Sequence, residues 1–210
     1  MLKIAVLGSG RGSNFRALLD AMNQGKVMNA RVSVAISNNS DAGILDIARS
    51  HGIPAVHLSQ RLFPDEGTFV EALLETLREF DVNFLVLAGY MKRVHPRVIA
   101  AFRHRAINIH PALLPKYGGK GMYGMHVHEA VVANGESMTG ATVHMVDEEF
   151  DHGAIVLQEQ VAILPGETAE DVAAKVLEVE HEILPRAVRL FAEGKVPVPE
   201  KVKPVSHKVT

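Results

Sequence analysis

Asn108-Ile109-His110-Pro111 holds two side chains suited to acyl-transfer chemistry, at a spacing that puts them together. In an extended strand residues i and i+2 point to the same side, so the Asn108 amide and the His110 imidazole project together while Ile109 faces a core. Such a pair can donate two hydrogen bonds to one developing oxyanion, and a histidine can also move a proton near neutral pH. A satisfied histidine at a strand end would read the same way without the chemistry. Downstream, Asp147-Glu148-Glu149-Phe150-Asp151 puts four carboxylates into five positions between two apolar runs. Loop charges are ordinarily solvated, yet one of these groups can orient a histidine from another strand and raise its pKa by stabilising the cation. Spacing does not choose among the four.

A second kind of chemistry lies near the N-terminus, in Gly8-Ser9-Gly10-Arg11-Gly12-Ser13-Asn14. The pattern lacks the third glycine of a dinucleotide fingerprint, and the next strand ends in Ser37-Asn38-Asn39-Ser40 rather than an acid for a ribose, so NAD is disfavoured. No Gly-Lys-Ser/Thr follows, so it is not a Walker A loop. What remains is a set of backbone N–H groups at a helix N-terminus, which suits one phosphate monoester, or else a tight turn with no ligand. His126, His128, His144 and His152 complete the chemical inventory. The pair His126-x-His128 imitates metal-ligand spacing, but no His/Glu helix motif accompanies it, and no metal is expected.

The elements that must position these groups follow from periodicity. Ile4 to Leu7 is a short β-branched run, and after the glycine loop Phe15, Leu18, Leu19 and Met22 recur at helical spacing. Ser13 or Asn14 is the expected N-cap and Gly25 the stop. Val32 to Ile36 reads as a strand, 41 to 51 as a helix closed by Gly52, and Phe69, Leu73 and Leu77 mark a third helix. Phe84 to Gly89 is a buried strand, Pro96 opens a short helix, and Ala106 to His110 is the next strand. Strands alternating with helices imply a parallel sheet with crossovers. Past Pro111, prolines and glycines as far as Gly124 predict a long irregular loop. Thr142 to Val146 and Ala154 to Leu157 read as paired strands. Thr168 with Asp171 forms a capping box opening a helix through Val172, Val176, Val179 and Ile183, which Pro185 should kink.

With 210 residues and 47% hydrophobic content the chain can bury roughly 70% of its unfolded surface around one core. The net charge of −2 provides no basic field for nucleic acid or an anionic membrane. The absence of cysteine excludes a disulfide framework, a thiolate zinc site and a cysteine nucleophile. The first apolar run is too short for a secretory leader and no window approaches a membrane span, so a cytoplasmic protein is expected.

Taken in chain order, Gly8 to Asn14, Leu87-Ala88-Gly89-Tyr90-Met91, Ile107 to Pro115, Gly140-Ala141-Thr142-Val143-His144 and Phe150-Asp151-His152-Gly153 resemble the glycinamide ribonucleotide formyltransferase family over residues 1 to about 194. The Asn-x-His-Pro-x-Leu-Leu-Pro run is shared by a wider group of folate-dependent formyltransferases; the acceptor is indicated by length and the phosphate loop. The resemblance implies an α/β, Rossmann-like three-layer fold with a mostly parallel sheet. It implies a single domain over 1–194, its N-terminal part binding phosphate and its C-terminal part folate, with 195–210 as an extension. Neither the nucleic-acid domain of methionyl-tRNA formyltransferase nor the regulatory domain of the formyltetrahydrofolate hydrolase is expected.

The implied reaction moves a formyl group from 10-formyltetrahydrofolate, a consumed co-substrate, to the amine of a phosphoribosyl glycinamide in purine synthesis. By the same resemblance Asn108, His110 and Asp151 are catalytic; Gly12, Ser13 and Asn14 bind the phosphate; and Glu180 meets the ribose. Met91, Lys92, Arg93, Val94, Asn108, Thr142 and Asp151 line the folate site, Thr142 holding an ordered water. Partners are small molecules, with a monomer or homodimer expected. Three departures stand out: Lys92 where many members carry Arg, Asp65-Glu66-Gly67 where many carry a folate-contacting Arg, and a longer, glycine-rich Gly118 to His128. The alternatives are a formyltetrahydrofolate hydrolase and a non-catalytic nucleotide-binding module.

Overall fold

The computed structural model describes residues 1–196. All of the expected C-terminal extension except Lys195 and Val196 lies outside them. Seven strands form one sheet in the order β3-β2-β1-β4-β5-β6-β7. They are β1 (Leu2–Leu7), β2 (Ala30–Ser37), β3 (Ala55–His57), β4 (Phe84–Leu87), β5 (Ala106–His110), β6 (Met138–Met145) and β7 (Ile155–Ala162). The first five pair in parallel, and β6 and β7 are antiparallel additions. Helices α1 (Ser13–Asn23), α2 (Gly43–Ser50), α3 (Glu66–Glu79), α4 (Pro96–Ala101), α5 (Met125–Ala133) and α6 (Ala169–Ala192) complete the fold. Strand alternation divides the core in two: Ile4 and Val6 of β1 pack with α1, α2 and α6, while Ala5 and Leu7 pack with α3 and α4. The result is the three-layer α/β arrangement expected, with no helix among the described residues long and apolar enough to cross a membrane.

One local expectation is corrected. Neither Ser13 nor Asn14 caps α1; Gly12 occupies the cap position at φ 80°, and no side chain caps the first turn. A β-carbon at Gly12 would lie 2.8 Å from Ile44 Cα, so the loop turns tightly against α2 and Ser13 is already helical. The short strand β3 went unread, being three residues long. The segment from Pro111 to Gly124 is irregular as expected, and helix α5, which the sequence did not signal, begins at Met125 directly after it. Helix α6 runs on through Pro185 to Ala192. Proline costs a helix about 3 kcal/mol, but Ile183, Leu184, Val188 and Phe191 are buried around it. Each contributes roughly 1.5–3 kcal/mol, so burial outweighs the lost bond. The Thr168–Asp171 capping box is present as expected.

Candidate active site

The site grows out of strand parity. Ile107 and Ile109 of β5 enter the core shared with α1 and α6, and Ala106 the opposite one, so Asn108 and His110 share the opposite face. The antiparallel ladder sets His144 across from Asn108 and Thr142 across from His110. Sequence reasoning set His144 aside as one of several histidines; the register of β5 on β6 is the signal that places it beside Asn108. Asn108 Nδ2 lies 3.0 Å from His144 Nε2 and 3.4 Å from Asp151 Oδ1. His144 Nδ1 faces the Met145 carbonyl at 2.8 Å, so Nδ1–H donates there and Nε2 is left to accept from Asn108.

Asp151 is the carboxylate that folds inward. It is 11% exposed, 3.5 Å from both His110 Nδ1 and His144 Nε2. Glu148 and Glu149 are exposed, and Asp147 pairs with the exposed His152. Asp151 adopts φ 55°, a left-handed conformation that aspartate tolerates better than most residues. The Gly119 N–H donates to its Oδ2 at 3.0 Å, and at Gly118 a β-carbon would stand 3.1 Å from the Asp151 β-carbon. The glycine-rich segment is thus what lets the chain close over this carboxylate.

His110 is 4% exposed, with Nε2 2.8 Å from the Tyr117 carbonyl. Burial lowers its pKa, and the pull of Asp151 and of the Tyr117 carbonyl in the other direction does not offset it. The expected contribution of Asp151 is therefore present in sign, but the ring stands below its ordinary value rather than above it. Burial raises the Asp151 carboxyl, while the neighbouring His144 and His110 and the Gly119 N–H more than compensate, leaving it below the ordinary range.

These groups line one cavity of about 650 Å³ across the carboxyl ends of β1, β4 and β5. That is the point where the strand order reverses about β1, the customary place for a ligand in an open α/β sheet. At one end stand Gly12, Ser13, Asn14 and, from α6, Glu180. Asn14 Oδ1 is buried without a partner, and the Asn14 side chain hydrogen-bonds Glu180. Burial pushes the Glu180 carboxyl up to about 7, the Asn14 hydrogen bond opposing. At the other end lie Met91, Lys92, Arg93 and Val94 with the 146–151 loop, the Arg93 guanidinium donating to the Glu148 carbonyl at 2.9 Å. Met91, Tyr123, Met125 and Phe150 line it as exposed apolar side chains.

One expected contact is not brought to the cavity. Thr142 is fully buried and does not line it; its hydroxyl donates to the Ala112 carbonyl and accepts from Leu114 N–H and the Gln158 amide. It fixes the Pro111–Pro115 turn instead of holding a water. Asp65 caps α3, whose first residue is Glu66, and neither reaches the cavity. The histidines with metal-like spacing diverge, His126 exposed and beside Glu129, His128 buried. Tyr117 is a site element that the sequence reading did not single out, and Met122–Met125 entered it only as part of the glycine-rich Gly118 to His128 segment.

A Rossmann-like sheet with an Asn–His–Asp constellation at its switch point is the arrangement of a group-transfer enzyme. The chain belongs to the formyl transferase family, whose sequence profile matches residues 2–188. It is 38% identical over 196 residues to phosphoribosylglycinamide formyltransferase of Haemophilus influenzae, covering 93% of this chain and 90% of that protein. The chloroplastic phosphoribosylglycinamide formyltransferase of Vigna unguiculata is 42% identical over 194 residues, 92% of this chain. The chain spans 62% of the length of that plant relative. Among solved structures, glycinamide ribonucleotide transformylase 1 from Symbiobacterium toebii superposes with a TM-score of 0.87 at 39% identity, over 95% of this chain and 92% of that one.

Proposed function

We propose that this protein transfers a formyl group from 10-formyltetrahydrofolate to the amine of phosphoribosylglycinamide, in the cytoplasm and in purine synthesis. The observation that carries the reading is the joining, in one cavity, of an uncapped helix N-terminus to the Asn108–His110–Asp151 cluster. The first supports a phosphate monoester and the second an acyl transfer. A cavity of about 650 Å³ lies within the range of small-molecule sites, and its apolar rim fits a flat aromatic co-substrate.

The acceptor amine attacks the formyl carbon while neutral, and the carbonyl oxygen gains charge. Asn108 holds two acceptors, and the longer contact, 3.4 Å to Asp151, is the one it can exchange for that oxygen. One donor of this kind is typically worth about 3 kcal/mol. His110, neutral when the site is empty, takes the proton that the attacking nitrogen loses and passes it to the folate nitrogen as it leaves, with Asp151 stabilising the intervening cation. Gly12, Ser13 and Asn14 hold the phosphate, Glu180 the ribose hydroxyls, and Met91 to Val94 with the 146–151 loop the folate. No step calls for a metal or NAD.

The decisive assay follows 10-formyltetrahydrofolate consumption with and without phosphoribosylglycinamide after exhaustive chelation. Consumption strictly dependent on the acceptor, with formylated product equal to folate released, is expected. Deformylation without acceptor would identify a hydrolase, zinc-restored activity a metal enzyme, and binding without turnover a non-catalytic module.

A further inference from the structure

The Gly12–Asn14 end of the cavity carries a cation, Arg11, that has no protein partner among the described residues. Gly12–Asn14 can offer N–H groups and a partial helix charge of roughly +0.5, which leaves most of a phosphate dianion's charge unmet. Two further observations mark the place as one built for a ligand: Asn14 Oδ1 is buried there unpartnered, and no side chain caps α1. Arg11 immediately precedes this cradle and lines the same cavity. Among the described residues its guanidinium makes no hydrogen bond or ion pair. Its peptide is held in place: Gly10 O accepts from Ile44 N–H at 3.3 Å, and a β-carbon on Gly43 would come within 2.8 Å of the Arg11 carbonyl.

Resting on the phosphate reading above, we propose that Arg11 is a specificity-determining residue that pairs with the acceptor's phosphate and discriminates phosphorylated from phosphate-free acceptors. Consecutive α-carbons lie about 3.8 Å apart, so an arginine beside Gly12 starts within side-chain reach of an oxygen held by the Gly12–Asn14 N–H groups. The other free cations of the cavity enter from distant loops, Lys92 after β4 and Lys120 from the glycine-rich segment, while Arg93 is tied to Glu148. A planar guanidinium can donate two parallel hydrogen bonds to phosphate oxygens, which an ammonium cannot. Arg11 also borders the shallower neighbouring pocket that contains Asp41, to which it makes no ion pair; the phosphate offers it a stronger partner than that exposed carboxylate.

The test compares kcat/KM for phosphoribosylglycinamide and for its phosphate-free riboside in the wild-type protein, Arg11→Ala, Arg11→Lys and Lys120→Ala. Arg11→Ala is expected to cut the preference for the phosphorylated acceptor by about tenfold or more, through KM, with the KM for the folate co-substrate unmoved. Arg11→Lys should recover part of that preference. An unchanged preference in Arg11→Ala, equal losses on both acceptors, or a collapse in Lys120→Ala instead would overturn the assignment. Absence of any phosphate preference in the wild-type protein would instead defeat the phosphate reading itself, a result separable from failure at Arg11.

Discussion

Asn108 and His144 face each other across the β5–β6 ladder, with the amide nitrogen 3.0 Å from Nε2. With the His144 Nδ1–H on the Met145 carbonyl, Nε2 of the neutral ring accepts from Asn108 and so fixes which end of that amide points toward Asp151. On the mechanism proposed above, His144 is a positioning residue for the oxyanion donor Asn108. We expect His144→Ala to lower kcat by roughly tenfold through misplacement of that donor. His144→Gln, which can still present an acceptor, should recover part of the loss, and steady-state kinetics of the three proteins at equal foldedness decide the matter.

Removing the donors themselves should cost more. Asn108→Ala and His110→Ala are each expected to reduce kcat by at least roughly 10²-fold. Circular dichroism should confirm a folded protein in both, and near wild-type turnover in either would exclude it from the chemistry.

Asp151 stands out from its three acidic neighbours by burial and by its two histidine partners. Asparagine tolerates the same left-handed backbone, so Asp151→Asn removes the charge with little strain. Burial already depresses His110, and Asp151 works against that burial. Without the charge the His110 pKa moves further down, the imidazolium becomes harder to form at neutral pH, and kcat falls. Histidine NMR titration should register the downward shift. Asp147→Asn, Glu148→Gln and Glu149→Gln should move neither quantity; a larger effect from any of them would reassign the carboxylate.

How far the sequence carried depended on whether local pattern or chain closure placed a residue. Asn108 and His110 were legible because the two-residue period of a strand is local. Asp151 was not selectable from spacing, since the approach of Gly118 and Gly119 brings it in from a loop. The helix α5 was hidden by the glycines directly before it, although it buries Val127, His128 and Val131. Thr142 illustrates the opposite error: its partners Ala112, Leu114 and Gln158 come from two other segments, so its structural duty had no sequence signature. Glu180 entered only through resemblance. Yet Val176, Glu180 and Leu184 share one helical stripe at four-residue spacing, and a carboxylate within an apolar stripe was a readable sign of a special site.

That buried carboxylate gives the last prediction, in which the direction with pH is fixed by its raised pKa. Glu180 is 8% exposed, and burial lifts it from 4.5 to about 7. Between those values the folded protein holds a proton there that the unfolded chain has lost, so stability falls as pH rises through the window and levels off above it. At about 1.36 kcal/mol per pKa unit, the ionised group costs the ligand-free fold on the order of 3 kcal/mol at pH 8. Glu180→Gln keeps the shape and removes the charge. The variant should match the wild-type protein near pH 4.5 in urea unfolding and exceed it at pH 8 by up to about 3 kcal/mol. The same substitution should raise the KM for phosphoribosylglycinamide, because the ionised carboxylate is the better acceptor for ribose hydroxyls. Parallel stability curves for the two proteins between pH 4.5 and 8 would mean that Glu180 is not held in the raised state, and an unchanged KM would remove it from the ribose site.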